Sequence, residues 1–176
     1  WSVALFSEDQ VRQRLATALM EILVTSAADD VVDQRHLGHS QYYDMLAAGL
    51  DGDYRDLLEG VSTHPIMGRY LSSLRNQKEL TDNSGMVIVS PDENYAREIM
   101  QLFSIGLVQL HPDGSLKLSS SGQPIPTYGQ ADIIDLARVF TGWSFSKRNN
   151  PSASDTVVDN TTFNYGNGNR YYQAQW

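Results

Sequence analysis

The sequence predicts a mainly α fold, about six helices in an irregular bundle with one or two small β-hairpins. Three observations carry this. Apolar residues recur at helical spacing in six segments, helix-start and helix-stop residues bracket those segments, and strict alternation around Gly-containing turns is confined to two short stretches. The chain has 176 residues, 41% of them apolar, which suits one domain with a real core.

The first helix is expected over 8–27. Ser7-Glu8-Asp9-Gln10 reads as a capping box, and Val11, Leu15, Ala18, Leu19, Ile22 and Leu23 form one apolar stripe. Asp29, Asp30 and Asp33 stop it. A second helix over 39–49 carries Tyr42, Tyr43, Leu46 and Ala47. Gly49 and Gly52 separate it from a third over 53–63, with Tyr54, Leu57, Leu58 and Val61. Pro65 suits a first helical turn, so a fourth short helix starts there and carries Met67, Tyr70, Leu71 and Leu74. Residues 76–90 read as a loop, with a short strand at Met86–Val89 as the alternative.

Ser90-Pro91-Asp92-Glu93 is the strongest helix start in the chain, with Ser90 as cap. That helix runs through Tyr95, Ile99, Leu102 and Phe103 to Gly106. Val108 and Leu110 then alternate with Gln109, and Leu116 and Leu118 with Lys117, around Pro112-Asp113-Gly114, a hairpin. A last helix over 130–141 ends before Gly142, which suits a left-handed position. Its stripe and that of the 90–106 helix are expected to pack together. Residues 1–143 thus read as the helical domain, with 90–143 as its core signature. Residues 144–176 read as a polar Asn/Ser/Gly-rich extension, with a second hairpin centred on Asn167-Gly168. No internal repeat is evident.

Composition narrows the function. Lys plus Arg is 13 and Asp plus Glu 21, a net charge of −8, which argues against nucleic acid as a partner. There is no cysteine, hence no disulfide, thiolate metal site or cysteine nucleophile. No apolar run is long enough to span a membrane.

Candidate site residues cluster at 93–98. Glu93 and Arg97 stand in the favourable i, i+4 order, with Asn94 and Glu98 one residue along. A carboxylate, an amide and a guanidinium on adjacent faces can hold a ligand or orient a catalytic water. The plainer alternative is a solvated helix face, or a pair locking this helix to Asp132 or Arg138. Arg97 and Arg138, on half-apolar helices, are expected to turn inward and make several contacts each. His36 and His39, after three aspartates, offer metal-ligand chemistry on one helical face, but Gly38 lies between them and no metal-binding motif is complete. No metal and no cofactor is expected. His64, before Pro65, is expected to bond nearby backbone rather than act as a base. Arg12 and Arg14 are expected in structural roles. Tyr165, Tyr171, Tyr172 and Trp176 offer either a sugar platform or a hairpin packing face.

The run from Pro91 to Gly106, with Tyr128-Gly129-Gln130-Ala131-Asp132 and Leu136-Ala137-Arg138-Val139-Phe140-Thr141-Gly142-Trp143, resembles the bacterial family catalogued as domain of unknown function 1800. Arg12-Gln13-Arg14 and His64-Pro65-x-Met67-Gly68 fit a branch of it, and the resemblance covers roughly residues 5–143. Two departures matter. Gln101-Leu102-Phe103-Ser104-Ile105-Gly106 stands where many members carry Glu-Leu-His-Thr-Leu-Gly. Ala18-Leu19-Met20-Glu21-Ile22 stands where many carry a Trp-x-His-Asn-His type run. If those histidines bind metal or move protons in other members, this branch has lost that chemistry.

The resemblance implies an exported protein, periplasmic or extracellular, and an internal piece of a longer domain. It also implies a neighbour protein of alkaline phosphatase and sulfatase type as a partner. Two functions are expected. The first is a non-catalytic binding or structural module for a protein or surface polymer, with Asn94, Tyr95, Asp132, Trp143 and His64 as binding residues. The alternative is a hydrolase using Glu93, Arg97, Glu98 and Arg138, a buried carboxylate acting as general base.

Overall fold

Six α-helices lie among the described residues, 6–26, 28, 36–145 and 172–174 of the computed structural model, and the fold is mainly α. In chain order they are α1 (Gln10–Ile22), α2 (His36–Ala48), α3 (Tyr54–Thr63), α4 (Pro65–Tyr70), α5 (Asn94–Gln101) and α6 (Gln130–Val139), with a 3-10 turn at Gly49–Asp51. Two short antiparallel sheets accompany them. In one, β1 (Leu80–Thr81) pairs with β2 (Val87–Val89). In the other, β3 (Trp143–Phe145) pairs with β4 (Tyr172–Ala174), Ser144 opposite Gln173. The 162–171 part of the second expected hairpin, with Tyr165 and Tyr171, lies outside the described residues.

The described residues fall into two compact units, one up to Arg75 together with those from Trp143 onward, the other Asn76–Gly142. The first is built on Ala16, Leu23, Tyr42, Leu46, Leu57, Val61, Ile66 and Met67, all buried. Burying side chains of this size stabilises by about 1.5–3 kcal/mol each before entropy is counted. Helix starts follow their caps. The Asp53 carboxylate accepts from the Asp56 N–H at 2.8 Å at the head of α3. His64 does the same for α4, its Nδ1 accepting from the Ile66 N–H at 3.2 Å, with Pro65 in the first turn. Arg12 reaches from α1 to the Ala47 carbonyl (2.8 Å) and to Asp51, a structural role as expected.

Several helix boundaries differ from expectation: α2 starts at His36 rather than 39, and α5 ends at Gln101 rather than near Gly106. α1 stops at Ile22, because Leu23 turns out of helical geometry. α5 starts at Asn94, not at Ser90. Asn76 grips Asp92 by both backbone groups, accepting from its N–H (2.7 Å) and donating to its carbonyl (2.9 Å). The Asp92 carboxylate then accepts from the Asn94 N–H at 2.8 Å, and the helix begins only after that clamp.

In the second unit α5 and α6 pack as expected. Ala96, Ile133 and Ala137 form their buried seam, with Met100, Tyr128, Leu136 and Phe140 against it. Gly142, at φ 81, is left-handed after α6 as expected, and its N–H donates to the Asn76 carbonyl at 2.9 Å.

Between these helices the chain forms a closed collar over 107–127, where an open hairpin was expected. Bridges join Leu110 to Leu116, Leu118 to Pro124 and Val108 to Pro126, so each of three strands pairs with both others. The bonds run in a ring. The Gln109 N–H donates to the Ile125 carbonyl (2.8 Å), Ile125 to Lys117 (3.0 Å) and Lys117 to Gln109 (2.9 Å). The collar is an internal repeat, contrary to expectation. Gly106, Gly114 and Gly122 stand 114 − 106 = 122 − 114 = 8 residues apart, all left-handed, at φ 72, 82 and 78. The third copy hides the pattern by placing Pro124 and Pro126 where the first two have Leu or Val. Both prolines sit in pairs whose own N–H groups make no ladder bond, so the ring loses nothing.

Candidate functional site

Glu93 stands at the head of α5 and binds in two directions. Its Oε2 accepts from Arg97 Nη2 at 2.9 Å, one turn along, and from Gln130 Nε2 at 2.8 Å, at the start of α6. The Asp132 carboxylate accepts from the Gly129 N–H at 2.7 Å and so begins α6. Arg138, at the other end of α6, pairs with Asp135 at 2.7 Å and Glu79 at 3.5 Å. The side chains of Arg97 and Arg138 are 40% and 52% exposed. The expectation that both turn inward is thus corrected, because their carboxylates sit at the surface and hold them there.

Of the expected site residues, Glu93 and Arg97 come together. Tyr95 does not join them. It is buried in the core, edge-on to Phe140 at 4.8 Å. Asn94 is exposed, its N–H taken by Asp92. His64 and Trp143 belong to the first unit. There the Trp143 carbonyl accepts from the Arg75 N–H at 2.8 Å. His64 bonds backbone, as its place before Pro65 implied.

Glu98 differs from the rest. One carboxylate oxygen, Oε2, is closed off from solvent with no hydrogen-bond partner among the described residues, and so is the Tyr128 hydroxyl. Buried polar atoms in native proteins are nearly always paired. Sequence reading missed Tyr128, Gln130, Asn76 and Glu79. Gln130 and Tyr128 lie inside the Tyr-Gly-Gln-Ala-Asp signature, which was the available signal. Asn76 and Glu79 follow no motif.

His64 is buried, its ring edge meeting Tyr42 at 5.1 Å. Burial, with the charge of nearby His39 in second place, pushes its pKa down to about 4. His39 is buried beside Thr25, 3.4 Å from its Nδ1, while His36 is exposed, so the two do not share a face toward one ligand. Asp29, Asp30 and Asp33 lie outside the described residues. Among the described residues no three His, Asp or Glu side chains are grouped to hold a metal ion. No helix among them is long and apolar enough to cross a membrane. A shallow groove of about 470 Å³ runs along the start of α1, where Arg12 and Asp51 already satisfy each other.

Fold and signature cluster together define a mainly helical protein whose motif carboxylates and arginines tie helix ends. The family described as protein of unknown function DUF1800 matches residues 1–170, and the chain belongs to that family. No curated protein and no solved structure matches it.

Proposed function

We propose that the chain is a non-catalytic binding module that engages a protein partner through the 107–127 collar and its approach. The observation that carries this is the collar's surface. Ile105, Leu107, Leu110, Leu116 and Leu118 are each between 49 and 57% exposed, on a frame whose backbone bonds are closed among themselves. Apolar side chains gathered on a rigid frame form a contact surface that loses little freedom when covered. The segment 105–127 holds one carboxylate, Asp113, one lysine, Lys117, and one histidine, His111, within a chain of charge −8. An apolar, locally neutral partner face fits it, and the contact should be insensitive to salt.

Export of the chain, and a sulfatase-like neighbour protein as the partner, belong to the same proposal and rest on the resemblance. The test is binding to that neighbour by titration calorimetry at low and high salt, with Leu110→Gln/Leu118→Gln as the variant. Salt-independent binding that the double variant weakens at least tenfold is expected. Equal binding by variant and parent would remove the collar from the interface, and no binding at all would remove this partner.

A hydrolase is the second reading, favoured by the unpartnered Glu98 oxygen and Tyr128 hydroxyl. Glu98→Gln keeps the shape and removes the base. Turnover of any ester or glycoside panel member by the parent, lost in that variant, would establish it.

A further inference from the structure

α4 ends in a turn that closes on itself. The Leu71 N–H donates to the Met67 carbonyl and the Leu74 N–H to the Gly68 carbonyl, both at 2.9 Å. The second bond closes a loop over residues 69–73 that contains both Arg69 and Ser73. Ser72 and Arg75 hold that shape in the left-handed region, at φ 61 and 63, although neither is glycine. Side chains with a Cβ adopt it only where surrounding structure imposes it.

Two polar atoms in this loop are closed off from solvent with no hydrogen-bond partner among the described residues, Arg69 Nε and Ser73 Oγ. Ser73 is 4% exposed. The Arg69 guanidinium makes no ion pair with a described residue, in a chain with 21 Asp plus Glu. A guanidinium donates in a planar fork and accepts nothing, and a hydroxyl turns to donate where an acceptor is offered. A neutral water can occupy one donor, but it leaves the cation uncompensated in a half-buried setting.

We propose that Arg69 and Ser73 form a binding site for a small oxyanion, a phosphate or carboxylate group. A guanidinium can offer two N–H donors to two oxygens of one such group, and the Ser73 hydroxyl can supply a further donor. This site is separate from the collar, and its failure would leave the collar reading untouched.

The test is a titration of the 15N-labelled 176-residue chain, following arginine Nε–H resonances by NMR. The probes are inorganic phosphate and, separately, acetate, at constant ionic strength set by chloride. The Arg69 signal is identified by its loss in Arg69→Lys. A saturable shift of that signal is expected, with half-saturation moved at least about tenfold by Ser73→Ala, the worth of one hydrogen bond to a charged group. Tighter phosphate binding marks a phosphoryl ligand, and tighter acetate binding a carboxylate. A shift that never saturates, or that all arginines share, would overturn the site, since it reports screening alone. Saturation unchanged by Ser73→Ala would overturn the assignment to this pair. If a variant fails to fold, the parent titration against chloride still decides.

Discussion

Gln130 donates a hydrogen bond of 2.8 Å to Glu93, a residue 37 positions earlier, and the same carboxylate oxygen holds Arg97. One oxygen thus joins the heads of α5 and α6. Because Arg97 is only the exposed arm of that joint, Arg97→Lys and Arg97→Ala should each cost under about 1 kcal/mol, as partly exposed pairs do. Glu93→Ala removes both bonds and should cost more, about 1–2 kcal/mol. Urea midpoints of the three variants check this. An Arg97 effect larger than that of Glu93 would contradict the joint.

Asn76 holds Asp92 by two hydrogen bonds, one accepted from the Asp92 N–H and one donated by its own amide to the Asp92 carbonyl. Replacing it with alanine leaves the Asp92 N–H and carbonyl without their partner. We expect a loss of about 1–3 kcal/mol. Asn76→Asp should be no better, since a carboxylate accepts from the N–H but cannot donate to the carbonyl. A midpoint for Asn76→Asp near that of the parent would show that the carbonyl bond is worth nothing.

His64 makes stability depend on pH. Its folded pKa, about 4, lies below the unfolded value of about 6.5. The unfolded chain therefore binds the proton more readily in that interval. The contribution is complete above pH 6.5 and disappears as the pH falls toward 4, about 3 kcal/mol in all. Protonation also removes the Nδ1 acceptor that caps α4. His64→Asn keeps a capping acceptor without the titration. Its urea midpoint should fall less steeply with acid over this window, and a parallel fall in both proteins would assign the slope to other groups.

The collar predicts equal penalties at equivalent positions. Gly106, Gly114 and Gly122 share one backbone conformation, with open space where a Cβ would stand. Alanine at each should cost about 1–2 kcal/mol from conformation alone. A cost confined to one of the three would show that the copies are not equivalent. Amide exchange at Gln109, Lys117 and Ile125 should slow together, because the three bonds form one ring.

Much of this architecture was legible. Helix spacing located all six helices, and the apolar stripes identified α5 and α6 as partners. Pro65 fixed the start of α4, and Gly142 the left-handed position after α6. What failed was long-range. Ser90-Pro91 satisfies every local rule for a helix start, yet Asn76 decides the matter from outside the segment. The apolar-faced helix that carries Arg97 suggested an inward guanidinium, but Glu93, one turn away, captures it at the surface. The octapeptide period of the collar was in view at Gly106, Gly114 and Gly122. Proline in the third copy broke the alternation on which a strand is recognised. Of the candidate site, the Glu93–Arg97 pair was legible from spacing, whereas the orphaned atoms of Glu98 and Tyr128 depend on packing that no spacing rule reaches.

The ring of three backbone bonds fixes the length of the collar as well as its shape. A residue inserted into any one copy would slip the alternation and turn outward leucines to the other side. A whole added copy would leave the ring open, with a fourth strand to accommodate. The closed backbone ring thus constrains length directly, so this stretch can serve as a ruler that sets the number of residues between α5 and α6.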